Sequence, residues 1–197
     1  MRTRAELLED ELVLEIQDRA LQDKSELVAL KQMMLGIKPE VVVEVGLAYG
    51  GSLAHWVDLN PKLLIGIDVN FLSLRESVEE ILSRRLSAKG GRYYSFIAPS
   101  QSDITAEGVG ILSRIYGSGI DFIFIDGDHT HHGVERDYQT YLDLMNPRGG
   151  TMAFHDIRGE AGVAKLWEQL SRQYESTEFC FSGHDYGIGV ITIGERR

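Results

Sequence analysis

An α/β fold built on a mostly parallel sheet is what this sequence of 197 residues predicts, and three observations carry that expectation. Short apolar runs rich in Val, Ile, Leu and Phe recur seven times, which reads as seven strands. Between the first five runs lie longer stretches where Leu, Ile and Val return at helical spacing among charges, as crossover helices require. Four of the runs close on acids, Glu44, Asp68, Asp126 and Asp156, and the carboxyl ends of parallel strands are where such sheets bind ligands.

The composition narrows the class. The length suits a single domain with a proper core. Lys and Arg total 20 against 30 Asp and Glu, so the formal charge of −10 opposes phosphate backbones and acidic membrane surfaces. Nucleic acid and membrane are therefore set aside as partners. Cys180 is the sole cysteine, so no internal disulfide forms, as suits a reducing cytoplasm. No apolar run reaches membrane-spanning length and residues 1–11 are too charged for a signal peptide, so the expectation is a cytoplasmic protein.

Taken in order, residues 1–24 carry Leu7, Leu8, Leu12, Leu14, Ile16 and Leu21 at roughly helical spacing, for one or two helices. Ser25 is placed to cap the next helix, which runs to about Leu35 on a stripe of Leu27, Leu30 and Met34; Gly36 closes it in a left-handed conformation and Pro39 bars continuation. Residues 1–36 thus form a helical cap segment ahead of a main domain at 37–197. Met33 and Met34 read as core filler.

The first strand, Val41 to Val45, breaks into Gly46-Leu47-Ala48-Tyr49-Gly50-Gly51-Ser52. Glycine permits positive φ and close approach of a ligand, and the helix expected over 53–59, with Ser52 as its cap, offers free N–H groups. The G-x-x-x-G-G spacing differs from the G-x-G-x-x-G of dinucleotide sites and disfavours NAD and FAD. Glu44 beside this loop suits a ligand bearing a cationic amino group.

The second strand, 63–68, ends in Asp68, an acid placed to accept from a ribose diol. A helix over 73–88 stops at Gly90-Gly91, and a third strand over 93–97 leads to Ser100 and Gln101, whose hydroxyl and amide can donate to adenine nitrogens and accept from its amino group. After a helix at 104–116, the strand at 121–125 delivers Asp126, Asp128 and His129 to the sheet edge. A helix at 130–145 and a turn at 146–150 lead to the strand at 151–154, which ends at His155-Asp156. A helix at 160–174 precedes two strands, 178–181 and 188–193, that form a terminal antiparallel pair. In a doubly wound sheet Asp126 and Asp156 close neighbouring strands, and two such acids with nothing between them repel, a conflict that a divalent cation resolves.

The stretch E-V-G-L-A-Y-G-G-S resembles the first motif of the class I methyltransferases, whose ligand S-adenosylmethionine carries the cationic group that Glu44 suits. With F-I-D-G-D-H-T, P-R-G-G-T-M-A-F-H-D and G-V-A-K-L-W-E, the chain from about Ser25 to Gly194 resembles metal-dependent small-molecule O-methyltransferases, closest to the branch of the cephalosporin-biosynthesis and macrolide sugar enzymes. The stretch at 98–101 is similar to the G-A-S-Q of catechol O-methyltransferase relatives, with Ala98-Pro99 in place of Gly-Ala.

The resemblance implies a Rossmann-like sheet of seven strands with N-terminal helices and a methyl transfer to a hydroxyl of a small-molecule acceptor. Glu44, Gly46, Tyr49, Gly50 and Ser52 would hold the methionine part of S-adenosylmethionine, Asp68 the ribose, and Ser100 with Gln101 the adenine. Asp126 borders the cofactor and ligates a divalent metal, Mg2+ or Mn2+, with Asp156; His129 is the catalytic base. Position 155 is often acidic in these relatives, and histidine there shifts preference from magnesium toward manganese, iron or zinc, with His155 as a third ligand. The alternative to turnover is a cofactor-binding module on the same fold. A homodimer is compatible with this reading, because so short a chain takes any large lid from residues 1–35 or from a second subunit.

Overall fold

The computed structural model describes residues 4–70, 76–181 and 186–195. Seven strands form one sheet in the order β3-β2-β1-β4-β5-β7-β6. They are β1 (Val41–Val45), β2 (Leu63–Asp68), β3 (Arg92–Ile97), β4 (Phe122–Ile125), β5 (Gly150–His155), β6 (Glu175–Phe179) and β7 (Ile188–Ile193). The first five are parallel, and β7 runs antiparallel to both β5 and β6. The strand order reverses beside β1, so its carboxyl end opens onto the crevice that such a reversal creates.

Alternation along the strands sorts the core into two faces. Val42, Leu64, Phe122, Phe124 and Ala153 face α1 (Arg4–Gln17), α2 (Lys24–Ile37), α3 (Gly51–Val57) and α4 (Glu76–Ser87). Val41, Val43, Val45, Ile123, Ile125 and Phe154 face α5 (Asp103–Tyr116), α6 (His131–Leu142) and α7 (Ala161–Gln173). The period of two along each strand produces this division. Met34 is fully buried in the first face and Met33 packs against it, so both are core.

Several helix ends differ from expectation. Asp23, not Ser25, caps α2: its carboxylate accepts from the Ser25 and Glu26 amides. Gly36 lies inside α2, and Lys38 takes the left-handed position at φ 60°. The third helix begins at Gly51 after Gly50 at φ 76°, so Ser52 is not its cap. The strand expected over 178–181 forms instead as Glu175–Phe179, because pairing with β7 sets its register at Glu175↔Thr192 through Phe179↔Ile188. The expected start of α4 at Ser73, and His184, lie outside the described residues.

One buried acid ties the N-terminal helices to the sheet. Glu26 of α2 is fully buried, and its two oxygens accept from the backbone N–H of Phe181 and of Gly187, each at 3.2 Å. Glu26→Ala leaves the buried N–H of Gly187 and the partly buried N–H of Phe181 without this partner and is expected to lower unfolding free energy by about 2–4 kcal/mol. Glu26→Gln, which keeps one acceptor, is expected to cost less than Ala in the same urea titration. A Glu26→Gln variant as stable as wild type, beside a costly Glu26→Ala, would show that only side-chain volume matters there.

Candidate active site

A cavity of about 950 Å³ opens at the carboxyl ends of β1, β2, β4 and β5. Its walls include Gly46, Tyr49, Ser52, Asp68, Ser100, Gln101, Asp126, His129, His155 and Asp156. Each was expected from the sequence to bind a cofactor or metal or to take part in catalysis. Gly50 sits just behind the wall as the N-cap of α3.

The glycine loop reaches its shape through close backbone contact. Gly46, at φ 85°, donates to the Ile67 carbonyl at 2.9 Å, and a Cβ on it would lie 2.0 Å from the Asp126 carbonyl oxygen. At Gly51 the added Cβ would meet the backbone of Ala20 at 2.1 Å, so the α1–α2 connection is seated directly on the start of α3. Arg19, Ala20, Leu21 and Gln22 of that connection form one wall of the cavity, and the Gln22 amide donates to Asp126 Oδ2.

Glu44 requires a correction. It shares the face of Val42, so it points under α3 rather than into the cavity, where the Ser52 hydroxyl and the Trp56 indole N–H (2.6 Å) donate to its two oxygens. It is fully buried and is not part of the cavity wall. Burial pushes its carboxyl well up, aided by the charges of Asp126 and Asp68, against the bonds from Ser52 and Trp56. A raised carboxyl stabilises the fold below its unfolded pKa of about 4.5, and that contribution is lost as pH rises toward the folded pKa. Glu44→Gln removes the ionisation. Its unfolding free energy is expected to gain on wild type by up to ~1.4 kcal/mol per pH unit across that window, read by denaturant titration at pH 5 and pH 8. A pH-independent difference would mean that Glu44 is ionised in the folded chain.

Asp68 holds the loop from the next strand. Its Oδ2 accepts from Leu47 N at 2.8 Å and Ala48 N at 3.3 Å, and its Oδ1 from Asn70 N at 2.8 Å. A carboxylate has about four acceptor sites, so one remains for a ligand hydroxyl. Across the cavity, the Ser100 hydroxyl donates to Asp137 at 2.6 Å and the Gln101 amide to the Gly133 carbonyl at 3.0 Å.

At the far end four groups converge. The His155 Nδ1 lies 3.1 Å from Asp126 Oδ1 and 3.2 Å from Asp156 Oδ2; the His129 Nε2 lies 3.3 and 3.4 Å from the same two oxygens. Pairing of β4 with β5, with Ile125 opposite Phe154, brings the acids together, and Asp156 holds φ 61°, a left-handed conformation that turns it back toward Asp126. Burial alone would raise the Asp126 carboxyl, but bonds to His129, His155 and Gln22 and the His155 charge hold it below its ordinary value. Burial likewise opposes a charge on His155, yet its bonds to both acids and their fields push it up to about 10. The bond to Asp126 raises His129.

Asp126, His129 and Asp156 can each offer one atom within 4.8 Å of the others. Two carboxylate oxygens beside imidazole nitrogens are a donor set that fits a divalent transition ion better than magnesium. Two buried atoms at this end, His155 Nε2 and Asp156 Oδ1, have no hydrogen-bond partner among the described residues. Gln22 was missed by sequence reasoning, because its partner Asp126 lies 104 residues away.

A doubly wound sheet with an antiparallel last strand, and a glycine loop at its switch point, defines the class I methyltransferase fold. Residues 43–157 match the family model described as "Methyltransferase domain", and the chain belongs to that family.

Among solved structures, cofactor-bound Rv0187 of MTB superposes with a TM-score of 0.66 at 15% identity, covering 96% of this chain and 91% of that one. The O-methyltransferase of Bacillus cereus, in complex with SAH, gives 0.61 at 14% identity over 93% and 90%. The MycE methyltransferase of the mycinamycin pathway, in complex with Mg, SAH and mycinamycin VI, gives 0.55 at 17% identity over 85% and 49%.

By sequence, the chain is 23% identical over 168 residues, 81% of its length, to an uncharacterized protein of Sinorhizobium fredii, and spans 18% of that protein. It is 30% identical over 118 residues, 59% of its length, to an uncharacterized protein of Acanthamoeba polyphaga mimivirus, and spans 51% of that one. No helix among the described residues is long and apolar enough to cross a membrane.

Proposed function

We propose that this chain transfers a methyl group from S-adenosylmethionine to a hydroxyl oxygen of a small acceptor, assisted by a divalent ion. One observation carries the reading: the glycine loop, Asp68, Ser100 with Gln101, and the Asp126–His129–Asp156 cluster all border a single cavity. The Bacillus cereus and MycE complexes, which hold SAH on the same fold, support the choice of cofactor.

In this reading the loop from Gly46 to Ser52, with Tyr49, borders the methionine part, Asp68 accepts from the ribose and Ser100 with Gln101 meets the adenine. Glu44 acts one layer below, as the support that fixes Ser52 and α3. S-adenosylmethionine supplies, when bound, a methyl group on a sulfonium. Asp126 and Asp156, with a histidine ring, would hold the ion, which supplies a Lewis acid that lowers the acceptor hydroxyl's pKa. Gln22 and the paired rings of His155 and Tyr186, stacked with centroids 6.1 Å apart, fix the walls around the acceptor's position. The His129 ring, 39% exposed at the rim, is the group that takes the hydroxyl proton.

Calorimetry on protein freed of carried-over ligand tests the cofactor half. S-adenosylhomocysteine is expected to bind, and Asp68→Ala to weaken it at least about tenfold, the worth of one hydrogen bond of about 1.4 kcal/mol, because the bonds to Leu47 N and Ala48 N that hold the loop go with it. No binding with Mg2+, Mn2+ or EDTA present would remove the reading. Release of S-adenosylhomocysteine across a panel of hydroxylated acceptors tests turnover; binding without release on any acceptor would leave a cofactor-binding module instead.

His129→Asn separates base from ligand. As a base, its loss is expected to cut kcat by about 10²–10⁴ while Mn2+ affinity holds. A fall in Mn2+ affinity with kcat restored at saturating metal would make His129 a ligand.

A further inference from the structure

Three isoleucines of α5 stand in the open, none of them on the cavity wall: Ile104, Ile111 and Ile115 are 82%, 46% and 68% exposed. The last two follow the first by seven and eleven residues, close to two and three turns of helix, so all three line up in one stripe. The helix packs inward through Thr105, Val109 and Ser113, all buried, and the stripe lies on the side turned away from them. A single exposed apolar residue is ordinary on a protein surface, but three in register form a patch.

The two flanks of the stripe differ. One runs into β3, the edge strand of the sheet: a Cβ on Gly108 would stand 2.7 Å from the Phe96 ring, and the Tyr116 hydroxyl lies 3.3 Å from that of Tyr94, itself 39% exposed. The other flank carries Glu107 and Arg114, both exposed and two turns apart. Neither has an ion-pair or side-chain hydrogen-bond partner among the described residues.

We propose that this face of α5 is a self-association surface on which a second copy of the chain docks its own α5 antiparallel, about a twofold axis passing near Ile111. That axis sets Ile104 against Ile115 of the second copy, brings the two Ile111 side chains together, and joins like flanks, so Glu107 faces Arg114 of the other chain twice over. The spacing of the charges selects this occupant. One acid and one base on a single flank favour neither an acidic nor a basic partner, and a parallel pair would set Glu107 against Glu107 and Arg114 against Arg114, which repel. Two helices of this length bury less than the about 800 Å² per partner of a standard interface, so the dimer is a weak one, with a dissociation constant of roughly 1–50 μM. The argument uses only the outer surface and stands apart from the cofactor reading.

Sedimentation equilibrium of the full chain tests it. Wild type is expected to pass from monomer to dimer in the micromolar range. Glu107→Arg and Arg114→Glu, each a surface change that leaves the melting temperature where it is, are each expected to raise the dissociation constant at least about tenfold, because each sets like charges opposite one another. An equimolar mixture of the two variants is expected to recover the dimer, since one chain then carries only bases and the other only acids on that flank. If either single variant does not fold, the double swap Glu107→Arg with Arg114→Glu is expected to dimerise with itself and to exclude fluorescently labelled wild type; free exchange with wild type overturns the proposal. It is overturned equally by wild type that stays monomeric up to about 200 μM. Single variants that dimerise as well as wild type, or a mixture that stays monomeric, overturn it too.

Discussion

Gly46→Ala is expected to abolish binding of S-adenosylhomocysteine and to destabilise the fold by more than about 3 kcal/mol. The added Cβ would stand 2.0 Å from the Asp126 carbonyl oxygen, 2.6 Å from its carbon and 2.9 Å from the Gly127 Cα. All three are backbone, so no rotamer change relieves the overlap. Relief requires β1 and β4 to part at the point where Asp126 N donates to the Val45 carbonyl at 2.8 Å. Gly90→Ala is the matched control: its φ of 86° is almost the same, but nothing lies within 4 Å of the added carbon. That variant bears only the strain of a positive φ, about 1 kcal/mol. Thermal or urea unfolding of both variants, with calorimetry on the folded ones, checks the pair. Equal losses would mean that backbone conformation, not contact between the strands, governs the loop.

Asp126→Asn is expected to lower Mn2+ affinity by about 10²-fold or more and the rate of methyl transfer by about 10³-fold, while S-adenosylhomocysteine affinity changes less than tenfold. Asp126 Oδ1 faces both histidine rings and Oδ2 accepts from the Gln22 amide, so every polar neighbour approaches the carboxylate with a nitrogen. An amide at position 126 must turn its own NH2 toward one of these sides and lose an acceptor there. It also removes the charge that keeps His155 and His129 biased toward the protonated form. Titration of Mn2+ by electron paramagnetic resonance needs no acceptor and reads the first effect directly. Unchanged Mn2+ binding, with transfer within tenfold of wild type, would take Asp126 out of the reacting end of the cavity.

Much of this arrangement was readable from residue order. The last strand falls at Ile188–Ile193 as its apolar run predicts, and the strand ends carrying Asp68, Asp126 and Asp156 reach one cavity because parallel strands present their carboxyl ends on one edge. Side-chain direction in β1 was not readable. Every residue of that strand is buried, so nothing in Val-Val-Val-Glu-Val marks which face is which, and only the helix packed above shows that Glu44 points toward Ser52 and Trp56. Asp23 and Ser25 both suit an N-cap, and their competition was settled by which side chain reaches the free amides.

Local spacing and composition therefore determined the class of fold, the glycine loop and the acids at the strand ends, because periodicity and backbone preference act over a few residues. Tertiary structure alone decided the roles of Gln22, Glu26 and Asp137. Gln22 meets Asp126 across 104 residues of chain, Glu26 meets Phe181 and Gly187 across 155 and 161, and Asp137 meets Ser100 across 37. A hydrogen bond depends on where two groups stand in space, and for partners so far apart in the chain only the packing of the helices on the sheet sets that.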